Sequence, residues 1–357
     1  MSSWLSAILA ISVSTISLFF LRKWAIRLRL VDAPYGRKSH NGHVPLVGGL
    51  ATLLGLLAVM HFNPASMAFH YHNNYMWYSC ILVAVGLIDD KLDIKASYRL
   101  VILTILAIWL VKYDGIALSY LGDFWGGGDV YLDNSALLFT TFSLIGCVTA
   151  FNMVDGIDGV LGVLAACAMT SLGGLFLVAG QVELATLCLI FICSMLPYVV
   201  VNIGLNVKAK YKVFMGDAGS FLVGFTVIWL LVFATQPVNG SLDTVAMRPV
   251  TALWIIAIPL MDMVLVMLKR AFKKTSPLKA DRSHIHHVLM AFGFTPKQTL
   301  AIISLLAISS SAMAVIAEIY QVNESLMFSL FLQLFIGYSV VNMWLEKQTN
   351  RKAEHIV

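Results

Sequence analysis

Acidic residues in this 357-residue chain gather in short polar stretches between long apolar ones. The first is the pair Asp89-Asp90, followed by Lys91 and Asp93. The second is Asn152-Met153-Val154-Asp155-Gly156-Ile157-Asp158-Gly159. The third runs from Lys212 and Phe214 through Gly216-Asp217-Ala218-Gly219-Ser220. Adjacent carboxylates beside apolar sequence are costly, because like charges repel and a low-dielectric neighbour solvates neither. A divalent cation removes both objections, and Mg²⁺ in particular takes one or two carboxylates and completes its octahedron with water and phosphate oxygens. Asp89, Asp90 and Asp217 are the candidate metal ligands. Asp89, Asp90, Asp155 and Asp158 are candidates for proton handling or substrate positioning, since the five carboxylates exceed what one ion needs.

Each cluster also has a plainer reading. Asp89-Asp90 could be a solvated helix end, Asp155-Gly156 an ordinary turn, and Asp217 a helix cap. Lys212, Phe214 and Asp217 at a helix start could instead hold a phosphate, a base and a metal respectively. A fourth cluster, Arg282-Ser283-His284-Ile285-His286-His287, has neither the Glu of a His-Glu-x-x-His site nor a nearby cysteine, which argues against zinc. Arg282 with His284, His286 and His287 suits phosphate better, through the guanidinium fork and imidazole hydrogen bonds. Asp262 sits inside an apolar run, where an ionisable residue is either functional or ion-paired. Gly48-Gly49 after Pro45 could serve close helix packing or a lipid groove.

The elements that must position these groups are membrane helices. Hydrophobic residues make up 59% of the chain, charged residues 12%, and mean hydropathy is +0.83, so the chain cannot cover itself with a polar surface. About eleven apolar stretches approach the roughly 20 residues of a bilayer span. They are Trp4 to Leu21, Leu46 to Phe62, Tyr75 to Ile88, Tyr98 to Val111, Ser135 to Phe151, Val160 to Leu177, Leu184 to Val201, Gly219 to Thr235, Thr251 to Leu268, Thr299 to Ile316 and Leu326 to Leu345. The expected fold is an all-α polytopic membrane protein of one domain, residues 1–357. Among the 24 basic residues, only Lys112 and Arg248 fall outside the loops after odd-numbered spans and the C-terminal tail. The positive-inside rule then puts the N-terminus in the periplasm and the C-terminus in the cytoplasm. The cytoplasmic loops are 22–45, 89–97, 152–159, 202–218 and 269–298, with the tail at 346–357. All four polar clusters lie on that one face. No basic residue precedes the first apolar run, which reads as a retained anchor. The net charge of +5 follows from the loop asymmetry, so nucleic acid is not an expected partner. Val130 to Leu132 after three glycines suits a short hairpin on the other face.

In order and placement, Asp89-Asp90, Asn152 to Gly159, Phe214 to Ser220 and His284 to His287 resemble the motif set of the polyprenyl-phosphate N-acetylhexosamine-1-phosphate transferases. The resemblance runs from Pro45-x-x-Gly48-Gly49 through the His cluster. Arg-Ser-His-Ile-His-His is more similar to the UDP-GlcNAc-using branch than to the MurNAc-pentapeptide branch, which usually shows three consecutive histidines. That resemblance implies UDP-GlcNAc and undecaprenyl phosphate as substrates, with undecaprenyl-diphosphate-GlcNAc and UMP as products. It implies Mg²⁺ or Mn²⁺ as cofactor, a bacterial inner-membrane location with membrane lipids as surroundings, and a first step in O-antigen lipopolysaccharide and enterobacterial common antigen synthesis. It further implies Asp217 on the metal, Phe214 on uracil, and Asn152, Gly156, Ile157 and Asp158 around the nucleotide. Asp89 or Asp90 would act on the lipid phosphate and the His cluster on the sugar diphosphate. A homodimer stays open. Two rivals remain: a prenyltransferase using Asp89-Asp90-Lys91-Leu92-Asp93, and a proton-coupled transporter with carboxylates at the bilayer midplane.

Overall fold

The computed structural model describes residues 3–32, 42–64, 71–205, 211–237, 245–276 and 283–354. Thirteen α-helices among these residues account for nearly all of the fold, as lipid requires, because only intrahelical hydrogen bonding satisfies every backbone group there. They are α1 (Ser3–Leu28), α2 (Gly48–Phe62), α3 (His72–Leu92), α4 (Ala96–Lys112), α5 (Ala136–Val154), α6 (Val160–Val178) and α7 (Val182–Ile203). The rest are α8 (Gly216–Thr235), α9 (Pro249–Ile255), α10 (Ala257–Phe272), α11 (Ile285–Phe292), α12 (Pro296–Ile319) and α13 (Glu324–Glu354). Two antiparallel pairs complete it: β1 (Val31–Asp32) with β2 (Val44–Pro45), and β3 (Tyr120–Gly122) with β4 (Val130–Tyr131), the hairpin expected after the glycines.

Each of the eleven apolar stretches is helical. Seven described helices are long and apolar enough to cross a membrane, or eight if the bent pair α9 and α10 is one span. The described residues thus form a polytopic bundle with seven or eight strong spans, among which pack the shorter helices α2 and α4 and the helix α3, which is as long as the spans but polar at both ends. The ninth stretch is corrected. It breaks after Ile255 and the halves meet at 81°. The cause is in the sequence: Pro259 has no N–H for the carbonyl of Ile255 and its ring crowds that carbonyl.

Helix α8 is the axis of the bundle, buried at every residue from Ala218 to Val232. Its first turn is gripped by α2 and α3 at glycines. A Cβ on Gly49 would come 2.3 Å from the Cα of Gly219, and one on Gly86 would come 2.3 Å from the Cα of Ala218. Of the two readings of Gly48-Gly49, close packing is the one seen. Only glycine lets the three backbones approach this far. The strand-like segment ahead of α8 is held in turn by α2: Phe214 N–H donates to the carbonyl of Pro45 (2.9 Å), and the N–H groups of Val47 and Gly48 donate to the carbonyl of Phe214 (3.2 and 3.0 Å).

Candidate active site

The start of α8 is where the acidic clusters meet. Asp90, one turn beyond Gly86 on α3, accepts from the backbone N–H of Asp217 (2.8 Å) and of Ala218 (3.3 Å). It caps from a distance the helix dipole that Asp217 begins. Burial, then the charge of Asp217, pushes its carboxyl up to about 7. Asp89 is buried and accepts from Ile94 N–H (3.0 Å) and from Arg99 Nη1 (2.9 Å). Its carboxyl is pushed up to about 6 by burial first and Asp217 next. The same Arg99 nitrogen lies 3.4 Å from Asp217 Oδ2, so one guanidinium stands between two carboxylates. On the other side Asn152 donates to Asp217 Oδ1 (2.7 Å) and to the Ser220 hydroxyl (2.8 Å).

The loop between α5 and α6 faces this group. Asp155 is pushed up to about 7 by burial, then by the charges of Asp217 and Asp158. Asp158 lies outward and accepts from Lys212 Nζ at 2.6 Å, while that ammonium also sits 5.1 Å from the centroid of the Phe214 ring. Buried Asn202 at the end of α7 couples the two segments: its side chain accepts from Gly159 N–H (2.6 Å) and donates to the carbonyl of Val213 (2.9 Å). Ile157 packs against the core from the same loop.

The His cluster closes the site from the opposite side. A cavity of about 270 Å³ is lined by Arg99, Asn152, Gly156, Arg270 and all three of His284, His286 and His287, with an apolar wall that includes Leu100, Leu103, Val148 and Phe221. His286 is buried against Gly156 so closely that a Cβ there would fall 2.0 Å from its Nε2. Neither ring nitrogen of His286 has a hydrogen-bond partner. Burial, then His287, pushes its pKa down to about 3, so it is a neutral imidazole at physiological pH. His284 and His286 stack in parallel with centroids 5.8 Å apart.

The structure thus brings together Asp89, Asp90, Asp217 and Asn152 in one group, Asp158, Lys212 and Phe214 in another, and Gly156 with His284, His286 and His287 at the cavity. Arg282 lies outside the described residues, as do Lys208 and Lys210. Arg99, Ser220 and Asn202 were not singled out as site residues from the sequence. Arg99 is one of several basic residues in its loop, and its spacing of ten residues from Asp89 gives no helical register that would expose the contact. The inferred choice for Asp262 between function and a basic partner resolves to His284, whose Nδ1 is 2.7 Å from its Oδ2.

Among the described residues, no three His, Cys, Asp or Glu side chains form a closed metal cage. The donor set nonetheless fits an ion of the Mg²⁺ kind. Asp89 and Asp217 already share a cation in Arg99, and one guanidinium does not balance four neighbouring carboxylates. A cavity lined by imidazoles, an apolar wall, and the Arg99 and Asn152 side chains that contact the acidic group can accept a phosphorylated molecule with a polar and an apolar end.

Comparison with known proteins agrees with this chemistry. The model of glycosyl transferase family 4 matches residues 73–235. The undecaprenyl-phosphate alpha-N-acetylglucosaminyl 1-phosphate transferase of Escherichia coli (strain K12) is 40% identical over 336 residues, covering 93% of this chain and 89% of that protein. The protein of the same name from Salmonella typhimurium is 40% identical over 334 residues, with the same coverage of both chains. That of Pasteurella multocida is 39% identical over 342 residues, covering 95% of this chain and 94% of its own.

Proposed function

The chain belongs to glycosyl transferase family 4, with the undecaprenyl-phosphate N-acetylglucosaminyl 1-phosphate transferases, and from that premise we propose how its residues carry out that transfer. It is a membrane enzyme that moves GlcNAc-1-phosphate to undecaprenyl phosphate. The donor is UDP-GlcNAc, and an oxygen of the lipid phosphate attacks the β-phosphorus while the bond to the bridging oxygen breaks. UMP leaves with that oxygen, and undecaprenyl-diphosphate-GlcNAc forms. The observation that supports this reading is that Asn152 and Arg99, which both contact Asp217, line one cavity together with the His cluster, although these residues are far apart in sequence.

Phosphoryl transfer between anions is mostly positioning and charge neutralisation. Arg99 and Arg270 at the cavity supply fixed positive charge. Asp217 and Asp89 would hold Mg²⁺ or Mn²⁺, which when bound offsets the charge of the diphosphate. Asn152 fixes Asp217 through one oxygen, and Asp90 fixes the backbone beneath it. Both oxygens of Asp90 are taken by backbone N–H groups, which suits a positioning role better than nucleophilic attack, so the transfer is read as direct. Phe214 and Lys212 would meet the uracil and a phosphate of the donor, with Asp158 orienting the ammonium. Gly156 leaves room beneath His286, and His284 and His287 face the sugar diphosphate. Leu100, Leu103, Val148 and Phe221 offer the polyprenyl chain an apolar path.

The concentration of basic residues in the loops of this face supports a cytoplasmic position at the inner membrane, and the whole chain would act as one domain. O-antigen lipopolysaccharide and enterobacterial common antigen are the glycans the product would begin. The prenyltransferase reading loses its register: Asp93 leaves the helix at φ 49°, so it does not continue the face of Asp89. Purified protein in lipid, given UDP-GlcNAc, undecaprenyl phosphate and Mg²⁺, should release UMP and form lipid-linked sugar together, and omission of either the lipid phosphate or the metal should stop both. UMP release independent of the lipid phosphate would overturn the reading.

A further inference from the structure

Asp262 is buried in α10 with three hydrogen-bonding neighbours, two at the start of α11 and one on α13. Its Oδ1 accepts from the backbone N–H of Ile285 (2.9 Å) and from the hydroxyl of Tyr338 (2.8 Å), and its Oδ2 lies 2.7 Å from His284 Nδ1. Ile285 is the first residue of α11, so the carboxylate satisfies a free amide at that helix start and simultaneously orients the imidazole just before it. Tyr338 comes from α13, the last helix of the chain, and does not line the cavity. A second polar contact joins the same helices farther along: Lys269 Nζ donates to Asn342 Oδ1 (2.5 Å) and Glu346 Oε1 (2.8 Å).

A carboxylate that receives a backbone N–H and a phenol O–H acts as an acceptor, so the group facing its other oxygen must be a donor. That assigns the proton of neutral His284 to Nδ1 and leaves Nε2 as the nitrogen available to a ligand. Such a carboxylate–histidine pair fixes ring orientation and tautomer and stabilises the imidazolium when it forms. The imidazolium would then donate Nε2–H to an anionic oxygen.

We propose that Tyr338 and Asp262 are positioning residues for the transfer. They hold His284 with its Nδ1–H on Asp262, so that Nε2 is the nitrogen left to take up a proton and, as the imidazolium, to donate it in a hydrogen bond to a phosphate oxygen of the nucleotide-sugar donor; helix α13 thereby sets the geometry of a cavity it does not line. This rests on the transferase reading above as far as the ligand is concerned; the tautomer does not.

The test uses the full chain in nanodiscs. Nitrogen-15 NMR of labelled histidine, with His284 identified by its loss in His284→Ala, should show Nδ1 protonated in the wild type and a mixture of tautomers in Asp262→Asn. Turnover should fall on the order of 100-fold in Asp262→Asn and on the order of 10-fold in Tyr338→Phe. Lys269→Met, which removes the other contact between these helices, should stay within about 2-fold. In a His284→Ala background Tyr338→Phe should cost nothing further, because coupled residues are not additive. A wild-type His284 protonated at Nε2, full turnover in Tyr338→Phe, or an equal loss in the His284→Ala background would overturn the proposal. Absence of UMP release from wild-type protein with the Nδ1–H signature intact would instead strike the transferase reading and leave the positioning pair standing.

Discussion

The carboxylate of Asp90 accepts a hydrogen bond at 2.8 Å from the backbone N–H of Asp217, across 127 residues of sequence. The two acidic motifs are therefore one device: α3 supplies the cap for α8, and the cap holds in place the residue best placed to bind a cation. Gly86, one turn earlier on α3, makes this reach available by letting the backbones meet. Asp90→Ala leaves two amides of a buried helix start without their acceptor and frees Asp217 to shift. Turnover should fall on the order of 100-fold or more, while a missing helix cap costs only about 1 kcal/mol of stability. Asp90→Asn keeps one acceptor oxygen and should retain more activity than the alanine. UMP release measured beside the melting temperature checks the order; an alanine variant as active as asparagine would remove the capping role.

How much of this could be read from the sequence divides along physical lines. Apolar length located every helix except the short α11, with α9 and α10 as one stretch, because lipid imposes one rule on all the long ones. Residue types and clustering picked out Asp89, Asp90, Asn152, Asp217 and the histidines. Contact across the fold was not legible. Nothing near Arg99 in the chain marks it as the cation between Asp89 and Asp217, and nothing near Asp262 marks His284 or Tyr338 as its partners. Those pairings depend on how helices turn against each other, which similar apolar faces specify weakly in a sequence. The break between α9 and α10 was legible in Pro259, but the surrounding hydropathy is continuous and masks it.

Gly156 is bound to its identity by His286. A methyl group added there would overlap the imidazole at 2.0 Å, and that ring is walled in by buried neighbours. Gly156→Ala should therefore push His286 out of its seat and lower turnover by about 10-fold or more, since small displacements at a reacting centre cost this much. Insertion and melting temperature should change little, because Gly156 itself is exposed, whereas the packing of the loop is carried by Val154, Ile157 and Gly159. Combining Gly156→Ala with His286→Ala relieves the clash, so the double variant should be no worse than His286→Ala alone.

His286 also gives a pH signature. Its pKa is pushed down to about 3, chiefly by burial, whereas unfolded histidine titrates near its ordinary value of about 6.5. Below that ordinary value the unfolded chain binds a proton that the native state refuses, so stability is lost as pH falls from about 6.5 toward 3. His286→Leu removes the effect. The melting temperature of wild type relative to His286→Leu should fall steadily between about pH 6.5 and pH 4.5 and be flat above pH 7. A constant difference across that window would show that His286 takes up its proton in the fold as it does in the unfolded chain.

Asp158 and Lys212 form an exposed pair beside Phe214, with the ammonium 2.6 Å from the carboxylate and near the ring face. Exposed pairs add little stability, typically well under about 1 kcal/mol. The consequence should appear in donor binding instead. Lys212→Met should raise the KM for UDP-GlcNAc on the order of 10-fold, with a smaller change in kcat and none in the KM for undecaprenyl phosphate. Equal effects on both substrates would place the lysine away from the nucleotide.

Metal dependence should itself depend on pH, through carboxyls that burial holds neutral. Asp90 and Asp155 are both pushed up to about 7, by burial first and then by the charge of Asp217. A carboxyl raised above its unfolded value gives the fold stability at low pH that is lost as pH rises through the folded value. In the His286→Leu background, which removes that residue's own titration, protein without divalent cation should accordingly become more heat-stable as pH falls from about 8 to 6.5. A cation bound among these carboxylates must displace their protons or meet their charge, so its apparent affinity should weaken over the same fall in pH. Added Mg²⁺ should raise the melting temperature more at about pH 8 than at pH 6.5, and EDTA should cancel the gain. Asp155→Asn removes one of the two titrations and should reduce the slope of both curves. A Mg²⁺ shift independent of pH, in wild type and variant alike, would mean that the ion is held away from Asp90 and Asp155.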